Sequence, residues 1–323
     1  MLQLVNLSND ISDVQMIKND ARVLEALFQS HGLDGLELML CQPWNPELHR
    51  REWIHGVHLR FWPSWLDFWR ERREELLQQF NDDAAIAAFY GGLTPASWLT
   101  VCRSNIRAAA AAGAKYAVLH VSHSRMSEAY SRKFSATHKE VITATIELVN
   151  ELVKDIPDDM ELLFENLWWP GLTLREPELV ALLLEEVRHS RVGLMLDTGH
   201  LMNTNTDLRN EEEAIAYVIA VIKGLGSYRQ AVRGIHLHQS LSGDYVKKCR
   251  TAVANGRDLA DAMSHILRVD EHRPFTSPEV RRIIDYVEPA YLVHEFIQYS
   301  WDDWMYKLDC QQAALQCRNR AYA

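Results

Sequence analysis

The stretch "VGLMLDTGH", residues 192–200, decides the fold. Five mostly apolar residues run into Asp197, then a Thr-Gly pair, then His200. A short apolar run of this kind reads as a strand buried on both faces. A carboxylate and an imidazole three residues apart at its end are costly to bury unless something pairs them.

Runs of the same character occur along the whole chain. "LQLVNL" (2–7), "GLELML" (35–40), "WIHGVHL" (53–59) and "KYAVLHV" (115–121) precede it, as does "ELLFENL" (161–167). "GIHLHQS" (234–240) and "YLVHEF" (291–296) follow it. Between them lie stretches with apolar residues at three- and four-residue spacing, among them "DVQMIKNDARVLEALFQSHG" (13–32), "HKEVITATIELVNELVKDI" (138–156) and "EPELVALLLEEV" (176–187). This spacing predicts amphipathic helices. Gly32 predicts a helix stop, Asp34-Gly35 a turn, and Thr276-Ser277-Pro278 a helix start. Eight strands alternating with helices predict a parallel sheet covered by helices, closed into one α/β domain, a (β/α)8 barrel over residues 1–323. No GxGxxG follows the first strand, which argues against a dinucleotide-binding fold. Residues 62–92 exceed what a loop needs and read as a helical insertion after the third strand.

The 323 residues are 47% hydrophobic and 24% charged, an ordinary globular composition. The net charge of −10 argues against broad affinity for anionic membranes and weighs modestly against nucleic acid. Five scattered cysteines (Cys41, Cys102, Cys249, Cys310, Cys317) form no CxxC pair, so neither a disulfide framework nor a thiolate zinc site is expected. A cytoplasmic location is the expectation that follows. The first residues lack a signal-peptide pattern, and no uninterrupted apolar run approaches the length of a membrane span.

In a barrel of this kind the C-terminal strand ends form the active face. Here those ends carry His58, His120, Glu165, Asp197 with His200, His236 with His238, and Glu295. Asp270 and His272 lie in the loop "RVDEHRPFT" (268–276) before the last strand. Four carboxylates converging on one mouth repel one another unless a cation neutralises them. Nitrogen and oxygen donors without thiolate suit Mn²⁺, Zn²⁺, Co²⁺ or Mg²⁺ with an open position. Plainer roles compete. Thr198-Gly199 makes Asp197 a candidate helix cap, and His236 or His238 a candidate core histidine. His294 has the parity of the helix layer. His123, His138, His189 and His265 read as loop or helix-surface residues. Glu37, within the second strand, reads equally as support behind the site or as a structural pair.

The segments "DGLELML", "AVLHVSHS", "LLFEN", "LDTGH", "IHLHQS" and "LVHEF" resemble, in this order, those of the xylose isomerase-like TIM barrels. That superfamily includes sugar-phosphate isomerases and epimerases and the endonuclease IV type of apurinic-site nuclease. The resemblance covers roughly residues 1–300. Its epimerase pattern implies one divalent metal held by Glu165, Asp197, His238 and Glu295, with His200 beside a sugar or sugar-phosphate substrate. Glu165 and Glu295 would then move a proton through an enediolate. Trp168 and Trp169, with Trp62 and Trp65, would stack on the sugar or pack as a lid. The nuclease pattern implies up to three zinc ions, a phosphodiester substrate and added roles for His58, His120, His200, Asp270 and His272, with His236 a further candidate. "HLRFWPSW" (58–65), "DTGHLMN" (197–203) and "HRPFTSPEV" (272–280) depart from the usual motifs, and no basic stripe suits a DNA backbone. A metal-dependent isomerase or epimerase is the leading expectation. A multinuclear zinc hydrolase is the alternative, and a non-catalytic metal-binding barrel the third. Homo-oligomers through the outer helices are common in such barrels.

Overall fold

The computed structural model describes residues 1–249 and 259–316. Eight parallel strands close into a barrel in sequence order, the first pairing with both the second and the eighth. They are β1 (Leu2–Ser8), β2 (Gly35–Met39), β3 (Ile54–His58), β4 (Tyr116–His120), β5 (Glu161–Glu165), β6 (Val192–Asp197), β7 (Val232–Leu237) and β8 (Tyr291–His294). Each coincides with one of the apolar runs. Helices fill the connections and cover the outside, as parallel pairing demands.

Local chemistry explains the boundaries. Asp20 accepts from the Arg22 amide to start the helix Ala21–His31, and Gly32 ends it with φ 61°, a conformation glycine adopts without steric cost. The hydroxyl of Ser277 caps the turn Pro278–Val280 that leads into the helix Arg281–Val287.

The region after β3 contains three short helices, Trp65–Trp69, Arg73–Gln79 and Asp83–Tyr90. Trp62, Trp65, Phe68 and Tyr90 are buried with Trp98 of the next helix. The carboxylate of Asp67, itself buried, takes two bonds from Arg125 at 2.7 and 3.0 Å and ties this region to the loop after β4. By length and composition alone the stretch Asp83–Ala112 is apolar enough to cross a membrane, although polar and charged residues interrupt it. It is two helices, broken at Gly91-Gly92 and restarted at Pro95 by the Thr94 cap. The second buries Trp98, Ile106 and Ala109 in the layer around the barrel.

Strand residues alternate between that outer layer and the bore. Leu4, Tyr116, Val118, Leu163, Met195 and Val293 fill the bore as a separate apolar cluster. Two residues further along their strands, the same face carries His120 after Val118, Glu165 after Leu163, Asp197 after Met195 and Glu295 after Val293. The bore is therefore plugged below and polar at the mouth. His294, of opposite parity, faces the helix layer and pairs with Gln311 at 2.9 Å. The four described cysteines are free thiols, and Cys317 lies outside the described residues.

Candidate metal centre

Ten polar side chains meet at this mouth in three linked groups, each with donor atoms within 4.8 Å of one another. Glu165, at the end of β5, joins the first two. Its Oε2 stands 2.9 Å from His58 Nε2 and 3.4 Å from His120 Nε2, which completes the first group. Its Oε1 stands 3.2 Å from His236 Nδ1, and that same nitrogen lies 3.1 Å from Glu295 Oε2 and 3.9 Å from Asp197 Oδ2. Glu165, Asp197, His236 and Glu295 are the second group. The third is His200, His238, Asp270 and His272.

His236 shares a point with Glu165, Asp197 and Glu295, whereas His238, expected there, stands 2.9 Å from Asp197 Oδ2 and 3.8 Å from Glu295 Oε2. Register is the cause: Asp197 of β6 pairs with His236 of β7, so the two side chains leave the sheet at the same depth. His238 stands two residues higher and reaches the third group.

Asp197 answers the question its position raised. It is the N-cap of the one-turn helix Thr198–Met202, with Oδ1 accepting from the His200 amide at 2.6 Å. Its other oxygen faces the mouth, 2.9 Å from His238 Nε2. Capping and ligand geometry use different oxygens of one carboxylate. Asn166, which sequence reasoning left without a role, fixes this turn: its amide donates to the Asp197 carbonyl and its oxygen accepts from the Asp197 amide, both at 2.9 Å.

Behind the second group, Tyr116 donates to Glu37 at 2.8 Å, and Glu37 Oε1 lies 2.9 Å from His236 Nε2. Glu37 also gathers with His58 and His236, a fourth and deeper set that overlaps the first two. Glu37 thus stands in contact with the site and in a structural pair at once. Trp168 and Trp169 are 6% and 3% exposed, in an apolar cluster with Ala129, Leu167, Val246 and Val269. Trp168 sets an edge against His200, ring centres 5.2 Å apart. Their surfaces are taken up by packing, because buried indoles contribute more as core than as an exposed face. Phe61, which no motif singled out, stacks on His120 at 4.6 Å. His123, His189 and His265, expected at the surface, are buried instead, and His189 Nε2 bonds the Met160 carbonyl.

The donor chemistry fits divalent cations. Burial pushes the Asp197 carboxyl well above the usual carboxylate range; Glu295, Glu165 and Asp270 add to the rise against the pull of His200. Burial opposes charge on His200 and His236 as well, yet surrounding carboxylates outweigh it and raise both imidazoles well above their ordinary value. Without a cation, protons have to balance the carboxylates here. His120 and His238 are held down to about 3 by burial, which leaves neutral imidazoles with a lone pair to offer. His120 Nδ1, His238 Nδ1 and Glu295 Oε2 are buried without a hydrogen-bond partner.

Carboxylates and imidazoles thus gather at the C-terminal mouth of an eight-stranded parallel barrel, the face at which such barrels carry their active sites. The xylose isomerase-like TIM barrel family model matches residues 26–296, and the chain belongs to that family. Among solved structures, a D-tagatose 3-epimerase-like protein aligns with a TM-score of 0.54 at 15% identity, covering 98% of this chain and 97% of its own. Endonuclease IV from Thermus thermophilus gives the same score and identity, covering 98% and 99%. The 3-keto-D-glucoside 4-epimerase from E. coli gives 0.53 at 12%, covering 98% and 100%. At these identities the likeness is one of fold. A search of curated proteins returned no significant match.

Proposed function

We propose that the protein is a multinuclear, divalent-metal-dependent hydrolase of small phosphate esters. The observation that carries this reading is the division of the mouth into three ligand groups, two of them joined through Glu165. A single-metal proton-transfer enzyme needs the second group alone and leaves His58, His120, Asp270 and His272 without a task. The donors, imidazole and carboxylate without thiolate, suit zinc or manganese.

Bound cations would supply Lewis acidity, polarising a phosphoryl oxygen and acidifying water. His58 and His120 with Glu165 would hold one; Glu165, Asp197, His236 and Glu295 a second; His200, His238, Asp270 and His272 a third. Glu295, the most exposed of the four carboxylates at 9%, is placed to take the proton that an attacking water releases. The water oxygen bonds to phosphorus, the ester P–O bond breaks, and the alcohol leaves with a proton. Phe61, Trp168 and Trp169 wall the mouth and keep bulk water out. Net charge −10 disfavours a long polyanion, so a small ester is the preferred substrate over a DNA strand.

A second reading, a sugar isomerase or epimerase, rests on Glu165 and Glu295 flanking one point through His236. Two carboxylates so placed can pass a proton across a substrate. Zinc content and turnover separate the two. The hydrolase reading expects about three zinc ions per chain and release of nitrophenol from a nitrophenyl phosphodiester. About one ion per chain, with interconversion of ketose epimers and no ester cleavage, contradicts it.

A further inference from the structure

The layer around the barrel is incompletely filled beside the mouth. Between the exits of β3 and β4 and the helices Pro95–Ala112 and His138–Leu152 lies a cavity of about 50 Å³. Leu119 marks it. By parity this residue faces the helix layer, where Ala117, two residues earlier, is buried, yet Leu119 is only partly so. Cys102 and Ile106 of the first helix and Leu148 of the second stand across from the strands.

The polar groups of the lining point elsewhere. Thr145 donates its hydroxyl to the Val141 carbonyl at 2.9 Å, and Asn105 its amide to the Val101 carbonyl at 2.8 Å. Trp62 and Trp65 donate to the Phe89 and Ser122 carbonyls at 3.0 and 2.8 Å. Of the three indoles here, only Trp98 keeps an unpaired Nε1. A buried water needs about two to four polar partners, so an apolar occupant suits this space better than solvent. An apolar void left unfilled also lowers stability.

Two residues join the cavity to the mouth. Phe61 and His120 stack with ring centres 4.6 Å apart, and both line the cavity. His120 is also a member of the first ligand group, its Nε2 3.4 Å from Glu165 Oε2. Arg60 borders the cavity from the solvent side, its guanidinium over the Trp62 ring at 4.8 Å. A cation at this edge suits a negatively charged head group and disfavours a positively charged one.

Resting on the ester-hydrolase reading, we infer that this cavity is a subsite for the organic group of the substrate, a short unbranched alkyl chain carried by a phosphate ester. The phosphate lies at the ligand groups, and the chain passes Phe61 and His120 into the space between barrel and helices. At roughly 10–15 Å³ for each water-sized group, the cavity takes a chain of about three or four carbons.

The test uses the full chain loaded with zinc and a series of n-alkylphosphonates, methyl to hexyl, which carry the same head and chain and are not cleaved. Calorimetry should show the dissociation constant falling about fourfold for each methylene up to propyl or butyl, with no further gain at hexyl. Cys102→Phe, which fills the cavity, should erase the difference between methyl and butyl. Nitrophenyl phosphodiesters bearing the same chains should repeat the pattern in KM. A flat phosphonate series, or a gain retained in full by folded Cys102→Phe, overturns the inference, while ester cleavage still upholds the reading beneath it. A chain-length gain with no cleavage of any ester supports the subsite and removes that reading. Failure of every phosphonate to bind overturns the inference, and with no ester cleaved it overturns the reading as well. If Cys102→Phe does not fold, Ile106→Ala decides: its larger cavity should extend the gain to hexyl, and a series identical to the wild type overturns the inference.

Discussion

The lower bore and the mouth of this barrel share one backbone and have opposite chemistry. Leu163 and Glu165 face the same way on β5, two residues apart, as do Met195 and Asp197 on β6. The first member of each pair packs in a dry plug. The second enters a buried crowd of carboxylates and imidazoles. Burial pushes the Asp197 carboxyl well above the usual range; at Glu165 burial is outweighed by the surrounding histidines, which hold that carboxyl well below it. One layer stabilises the fold, and the next costs stability in exchange for binding a cation. The layers should therefore respond oppositely to substitution.

The largest contrast is in turnover. Glu165→Gln should lower ester cleavage on the order of 10³-fold and release most of the bound zinc, read by steady-state rates and elemental analysis. Its melting temperature without metal should stay close to that of the wild type. A variant that cleaves at the wild-type rate would remove the mouth from the chemistry altogether. Leu163→Ala is the converse. Emptying part of the plug should cost about 2–5 kcal/mol in denaturant unfolding while zinc content per folded chain is unchanged.

Asp197→Asn sharpens the comparison by reversing a sign. In metal-stripped protein the amide can still cap the turn through its oxygen and removes one of the crowded carboxylates. Stability should match or exceed the wild type, whereas zinc affinity should fall. A large destabilisation of the stripped variant would mean that Asp197 serves the fold first.

His49 gives the smallest effect and a control away from the mouth. It is fully buried, neither ring nitrogen has a hydrogen-bond partner, and it belongs to none of the ligand groups. Burial holds its imidazole down to about 4 from 6.5. The unfolded chain takes up a proton below pH 6.5 that the folded chain refuses until about 4. Stability is thus complete above that window and is lost as pH falls through it. His49→Gln should flatten this loss between pH 7 and 5, compared with the wild type by unfolding in the presence of a chelator.

The strands and the parity of their residues were legible because a period of two inside an apolar run exposes which face each polar residue joins. That sufficed to gather Glu165, Asp197, Glu295 and the histidines at one mouth. It could not choose between His236 and His238, which share parity and differ only in depth. Depth is set by the pairing of β6 with β7, which one strand does not encode. Trp168 and Trp169 were visible as aromatic residues beside the site, but whether an indole face is free depends on residues as distant as Val246 and Val269. The helical insertion over residues 62–92 was legible from its length alone, and the docking of this region through Asp67 and Arg125 was not. Asn166 could have been found by asking what holds the turn after Asp197.

Diffraction at the zinc absorption edge from crystals grown with zinc locates each ion directly. The account predicts two anomalous peaks in contact with Glu165, one toward His58 and His120 and one toward His236 and Glu295. It predicts a third enclosed by His200, His238, Asp270 and His272. A lone peak between Glu165 and Glu295, or a mouth with no peak at all, would contradict it.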